Sequence, residues 1–326
     1  MKYLLPEGFL SALPKKKITR RLNKAEKTID ALFSAPIRRN LQRRRLHKYL
    51  IGQDAAIDFD STFYSMLKGT KCRKIAFFHF SLNNYHRGKK SKIKRLCRKM
   101  AVYDNIVLIC QKMADEFAQC APQLSERIKV IYNPIDEAAY KIQAQEYSVP
   151  TSDYLLSVGR LEESQKDFTT LIKGYAAAHR RNADIPPLYI VGDGKDRKKL
   201  ERLAQSEGME GKISFLGFFP NPAPWIANAK IFLLCSKFEG LPTVLIEALM
   251  LDRIIIASDC PTGPSEILNN GKCGCLVPPR DPAAVSDAII NILSDNSLRD
   301  FYTENIIIHK KKFSPEFSIS QLNEIL

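Results

Sequence analysis

The sequence predicts an α/β chain whose second half is a doubly wound parallel sheet, and two observations carry that expectation. From Tyr154 onward, apolar runs of strand length alternate with stretches of helical period, and nearly every run closes on glycine or a polar turn. Runs that are apolar throughout belong to strands buried on both faces, which is the parallel arrangement with helices above and below. The run 154–158 ends in Gly159, after which Phe168, Leu171, Ile172, Tyr175 and Ala176 share one face at a period of 3.6. The run 188–191 ends in Gly192-Asp193-Gly194, and Leu200 and Leu203 mark the next helix. Residues 213–216 end in Gly217, and 231–235 lead through a polar turn into a helix from about 243 to 251. Residues 254–257 end in Ser258-Asp259, and Leu276-Val277 precede a proline-rich turn and a helix around 283–293. In such a Rossmann-like sheet, ligands bind outside the carboxyl ends of the strands, near the point where strand order reverses. The chemistry is therefore expected in the turns Gly159-Arg160, Gly192-Asp193-Gly194, Gly217-Phe218, 236–240 and 258–263.

The first half is less regular. Residues 74–80 and 105–110 have the composition of strands, and 128–132 lead into the turn Asn133-Pro134-Ile135-Asp136. Residues 15–48 are basic and compatible with helix, and 87–99 are dense in Lys and Arg with no acidic residue. The chain of 326 residues carries a net charge of +15 that is unevenly placed: residues 1–150 hold 30 Lys and Arg against 13 Asp and Glu, whereas 151–326 hold 20 against 22. A basic half joined to a neutral half points to a polyanionic partner for the first, whether nucleic acid, an anionic membrane surface or a phosphorylated acceptor.

Eight cysteines without a C-x-x-C and five scattered histidines give no zinc-ligand spacing and read as reduced core thiols. The apolar part of the N-terminus is too short for a signal peptide. No run approaches the ~18–20 residues of a membrane span. A cytoplasmic protein is expected, peripheral on the inner face of the plasma membrane if its basic half meets anionic lipid.

The most informative segment is 239–247, Glu-Gly-Leu-Pro-Thr-Val-Leu-Ile-Glu, with seven residues between its two carboxylates. Pro242 suits the first turn of a helix, and the free N–H groups of Thr243 and its neighbours would form an anion site aided by the helix dipole. Glu239 then lies in the loop before the helix and Glu247 on its second turn, so both are expected to open into one cleft and flank a phosphate. Glu247 sits among apolar neighbours, where a carboxylate is expected to have a ligand or a buried partner.

This segment resembles the E-x7-E motif of the retaining glycosyltransferases of family 4. The same order of motifs continues around it: 157–161 with Lys166 and Asp167, 191–194, 215–217, 256–260 with Gly263-Pro264 and Glu266, and Asp281. The resemblance covers roughly residues 100–295. It implies the GT-B fold, two Rossmann-like domains facing each other across a cleft, with an N-terminal acceptor-side domain (1–140), a nucleotide-sugar domain (141–300) and a C-terminal helical segment (301–326) returning to the first domain.

Members of the family usually open with a strand, a Gly-rich loop and a helix, and no such unit is read before residue 60. An incomplete or divergent N-terminal domain is therefore expected, and a missing central strand would leave a raw sheet edge and an inactive, truncated relative.

The resemblance also implies roles. Glu247 accepts the ribose hydroxyls, Glu239 contacts the transferred sugar, and Arg160 and Lys166 neutralise the donor diphosphate. Gly192 and Gly217 let the nucleotide approach the backbone. Gly240, Leu241 and Thr243 belong to the same donor loop, and His79 faces the transferred sugar from the first domain.

The expected reaction moves a hexose or N-acetylhexosamine from a nucleoside diphosphate sugar, a UDP-sugar in the first instance, to a glycan or lipid-linked saccharide with retention. Lipopolysaccharide or other cell-surface polysaccharide synthesis would be its setting. No cofactor or metal is implied. A nucleic-acid-binding protein is the competing reading, but the basic stretches lack interleaved aromatics and no recognition motif is present. A Rossmann oxidoreductase lacks its opening G-x-G-x-x-G.

Overall fold

A computed structural model describes residues 35–59, 61–82, 89–150 and 153–326. The basic stretch expected over 15–48 falls partly outside the described residues, as do Arg87 and Gly88.

The first half carries α1 (Ala35–Tyr49), β1 (Ala55–Phe59), α2 (Tyr64–Leu67), β2 (Arg73–Phe78), α3 (Lys90–Met100), β3 (Asn105–Leu108), α4 (Gln111–Cys120) and β4 (Ile128–Val130). Its strands form a parallel sheet in the order β1-β2-β3-β4. β2 and β3 bury Ile75, Ala76, Phe78 and the run from Ile106 to Leu108.

β1 is a strand that the sequence reading did not foresee before residue 60. Its fourth residue is Asp58, a carboxylate in an otherwise apolar run, and it is 2% exposed. The amides of Phe63 and Thr62 donate to it at 2.8 and 3.1 Å, and the Tyr103 hydroxyl donates as well. Desolvation raises the Asp58 pKa above its ordinary value, and these hydrogen bonds oppose it.

α5 (Glu137–Gln143) follows the Asn133-Pro134 turn, capped by Asp136, whose carboxylate accepts from the Ala139 amide at 3.0 Å. The second half is β5 (Leu155–Val158), α6 (Phe168–Arg181), β6 (Leu188–Val191), α7 (Arg197–Ser206), β7 (Ile213–Gly217), α8 (Ala223–Asn228), β8 (Ile231–Leu234), α9 (Thr243–Met250), β9 (Ile254–Ser258), α10 (Pro264–Ile267), β10 (Cys275–Val277) and α11 (Pro282–Ser294). All six strands are parallel, in the order β10-β9-β8-β5-β6-β7, so the order reverses between β5 and β8. β8 and β9 are buried along their whole length, as their unbroken apolar sequences require. Gly174 lets α6 pack against α11: a Cβ there would sit 2.6 Å from the Val285 side chain.

After α12 (Asn296–His309) and a 3-10 turn (Lys310–Phe313), α13 (Pro315–Asn323) lies against the first sheet. Ile325 packs with Ile75, Val107 and Ile131, and Arg73 donates to the Ile325 carbonyl at 2.9 Å. Phe313 is fully buried, sets its ring edge-on to Tyr132, and its carbonyl accepts from the Ile135 amide at 2.9 Å. Phe313→Ala should therefore cost about 3–5 kcal/mol, measured by denaturant unfolding. A loss of a few tenths would show that the C-terminal segment is not part of the core.

Candidate active site

The reversal between β5 and β8 is where a parallel sheet opens a crevice at its carboxyl edge. The loop after β5 and the loop after β8 are laced together there. Lys166 bridges Ser236 in antiparallel fashion, the Asp167 amide donates to the Cys235 carbonyl at 2.9 Å, and the Lys237 amide donates to the Gln165 carbonyl at 2.8 Å. This pairing presses the Lys166 ammonium onto the Glu239 carboxylate. The Ser236 hydroxyl donates to Glu239 at 2.6 Å and the Gln165 amide at 3.2 Å. Glu239 is only 6% exposed, so three donors complete what water would otherwise supply.

A second layer holds this group in place. Ser258, at the end of β9, accepts from the Ser236 amide at 2.8 Å and donates to its carbonyl at 2.9 Å. The Thr262 hydroxyl donates to the Glu239 carbonyl. Arg160 stands at the rim, its side chain 66% exposed, 3.4 Å from Glu162 and in hydrogen-bond contact with Gln165 at 3.4 Å. Gln165 thereby joins Arg160 to Glu239.

Gly192 and Gly217 lie at the tips of β6 and β7, both with positive φ (+139° and +84°). A Cβ on Gly192 would come within 1.9 Å of the Gly159 carbonyl, so only glycine fits.

Pro242, expected in the first turn of its helix, instead occupies the N-cap of α9, with Thr243 as the first helical residue and exposed. No side chain caps this helix start. Leu241 is buried at 6%. His79 follows β2, stacks on Phe59 at 5.8 Å, and its carbonyl lies 3.4 Å from where a Cβ on Gly240 would be. The first sheet's tip and the loop after β8 of the second thus meet.

Glu239, Lys166 and Arg160 are brought into one network, and Gly240 joins it through the loop. Glu247 has a partner of its own: it is half-buried on α9 and accepts from the Tyr140 hydroxyl of α5 at 3.1 Å. Desolvation raises the Glu247 pKa, and the Tyr140 bond only partly offsets it. Gln165 and Tyr140 carry no sequence signal as site residues, and Ser236 and Thr262 are read only as members of the turns 236–240 and 258–263. Gln165 and Ser236 flank the Lys166 and β8 turns, but which side chain reaches Glu239 depends on the bridge between the loops.

The sequence also holds an Asp-x-Asp, Asp58-Phe59-Asp60. Asp58 is committed to Tyr103 and the 62–63 turn, and Asp60 lies outside the described residues. Among the described residues, no group of three or more His, Cys, Asp or Glu is placed to hold a metal ion.

Because its pKa is raised in the fold, Glu247 binds a proton more tightly in the native than in the unfolded chain. The cost of ionising it is absent in acid and appears as pH rises through the folded value. Glu247→Gln keeps an acceptor for Tyr140, so it should raise stability at neutral pH, with the gain fading below the ordinary carboxylate range. Thermal unfolding at neutral and acid pH checks this, and a loss of stability at neutral pH would contradict it.

Residues 152–295 match the family described as Glycosyl transferases group 1. The chain is 30% identical over 268 residues to a lipopolysaccharide 1,6-galactosyltransferase of Salmonella typhimurium, covering 78% of this chain and 70% of that protein. It is 30% identical over 188 residues to a Campylobacter jejuni N-acetylgalactosamine-N,N'-diacetylbacillosaminyl-diphospho-undecaprenol 4-alpha-N-acetylgalactosaminyltransferase, covering 58% of this chain. It spans about half the length of that second relative (50%). Among solved structures, Anabaena HepE in complex with UDP superposes with a TM-score of 0.73 at 17% identity, covering 87% of this chain and 81% of that one. The two parallel sheets, the reversal point between β5 and β8 and these matches agree: the chain belongs to the group 1 glycosyl transferases and has the GT-B fold.

Proposed function

We propose that the protein transfers a hexose or N-acetylhexosamine from a UDP-sugar to a saccharide or lipid-linked saccharide acceptor, with retention at the anomeric carbon. The observation that carries this reading is the buried Lys166–Glu239 pair at the strand-order reversal, with the exposed guanidinium of Arg160 beside it. An ammonium has three donors and Glu239 engages one, so Lys166 has others to offer a phosphate oxygen. Arg160, Lys166 and the uncapped start of α9 at Thr243 then surround the diphosphate with positive charge. Gly192 and Gly217 shape the strand tips beside the nucleotide, and Glu247, on α9, accepts the ribose hydroxyls in place of Tyr140.

In the transfer step, the bond between the anomeric carbon and the diphosphate oxygen breaks with its electron pair leaving on UDP. Arg160 and Lys166 stabilise the charge that develops there. The acceptor hydroxyl forms its bond on the same face and gives its proton to the departing phosphate oxygen. Glu239, fixed by Ser236 and Gln165, and His79, across from Gly240, line the transferred sugar.

The relatives support the substrate classes. One is named for galactosyl transfer in lipopolysaccharide and one for transfer onto a diphospho-undecaprenol-linked sugar, and HepE has been solved with UDP and glucose. The basic helices α1 and α3, which hold no acidic residue, would face an anionic membrane surface. There each basic group contributes about 1 kcal/mol. Among the described residues, no helix is long and apolar enough to cross a membrane. A cytoplasmic protein, peripheral on the inner face of the plasma membrane, fits this reading.

A thermal-shift comparison with UDP, GDP, NADH and a short DNA duplex tests the assignment. UDP should stabilise the protein and the duplex should not; stabilisation by the duplex with none from either nucleotide would overturn it in favour of a nucleic-acid-binding protein. Glu247→Ala should weaken UDP binding about tenfold or more, as loss of hydrogen bonds to a charged group does. Arg160→Ala should lower turnover more than it lowers UDP affinity. Unaltered UDP binding by Glu247→Ala would remove that residue from the ribose.

A further inference from the structure

The two sheets are joined by a charged group that the reaction above does not use. Glu266, on the short α10 of the second domain, places its carboxylate against the first. Both carboxylate oxygens accept from the Gln111 amide, at 2.8 and 2.9 Å, and Oε1 also accepts from the Tyr132 hydroxyl at 2.6 Å. Gln111 opens α4, whose N-cap residue Cys110 provides no side-chain cap. The carboxylate therefore satisfies, from the other domain, the first of the unpaired amides at the start of α4, at the positive end of the helix dipole. Burial, and then Glu266 itself, push the Tyr132 pKa well up, which keeps that hydroxyl a donor.

α10 is tied equally firmly to the donor loop. Its N-cap is Gly263, φ +93°, where a Cβ would lie 2.6 Å from the Gly240 carbonyl and from Pro242. Thr262, one residue earlier, donates to the Glu239 carbonyl. On the far side, the His309 ring lies 3.3 Å from the Glu266 carbonyl, and His309 and Tyr132 both pack edge-on against Phe313. A short stiff segment thus runs from the Glu239 loop to the start of a first-domain helix.

We propose that Glu266 is the positioning residue of the interdomain cleft: by holding the first amide of α4 across the domains and engaging Tyr132, it sets the separation at which the Glu239 loop faces His79. The inference rests on the reading of that loop as the donor wall. Glu266 touches neither donor nor acceptor in this account and acts through the placement of the two walls.

The test compares the wild-type chain with Glu266→Ala, Glu266→Gln and Tyr132→Phe by small-angle scattering, hydrogen exchange at the Gln111 amide and UDP calorimetry. Glu266→Ala should expand the scattering profile and speed Gln111 exchange about tenfold, with UDP affinity unchanged. Glu266→Gln, which keeps one acceptor for Gln111, should restore most of the compact profile even if the alanine variant folds poorly. Tyr132→Phe should fall between. An unchanged profile and exchange rate in Glu266→Ala would overturn the proposal, as would a fall in UDP affinity matching the expansion, which would put Glu266 in the donor pocket. Failure of the wild type to bind UDP would sink the donor-site reading instead and would leave the scattering and exchange comparison standing.

Discussion

The ion pair between Lys166 and Glu239 is the constraint on which the rest of the site depends. Withdrawing two charges from water is costly, and the attraction between them repays that cost only when further hydrogen bonds complete the group. Ser236 and Gln165 supply those bonds, and both are placed by the bridge between the loops after β5 and β8. Removing one partner of such a pair leaves a buried charge, at about 3–5 kcal/mol. Well-packed apolar side chains of similar volume would serve stability as well, so stability alone does not account for a charge pair where the strand order reverses.

Around that pair the second domain is rigid by packing and the first is joined to it by specific links. β8 and β9 are buried throughout, and the loops they deliver are laced by Ser258 and Thr262. The links between domains include Glu266 on α4, the His79 carbonyl against Gly240, and the returning C-terminal segment with Phe313 and Ile325 in contact with the first domain. Glu247 belongs to a different balance: its carboxylate is held by a single hydroxyl in a setting that disfavours its charge.

Much of this was legible in the sequence, and the parts that were not share a physical reason. Six parallel strands can be read because each is an unbroken apolar run closed by a turn, a local property. β1 was missed because Asp58 interrupts its run, and its burial is made good by Tyr103, forty-five residues away. The E-x7-E spacing located both carboxylates on the right elements, and the apolar surroundings of Glu247 correctly signalled a partner. The partner, Tyr140, comes from a separate helix and left no local trace. Pro242 shows the limit at single-residue scale, since N-cap and first-turn positions differ only in the backbone angles of one residue.

The most direct measurement is a crystal structure of the protein soaked with UDP. The account predicts the diphosphate between Arg160, Lys166 and the start of α9, with the ribose hydroxyls on Glu247 and the Tyr140 bond given up. A nucleotide bound elsewhere, or one bound there with Glu247 still on Tyr140, would contradict it.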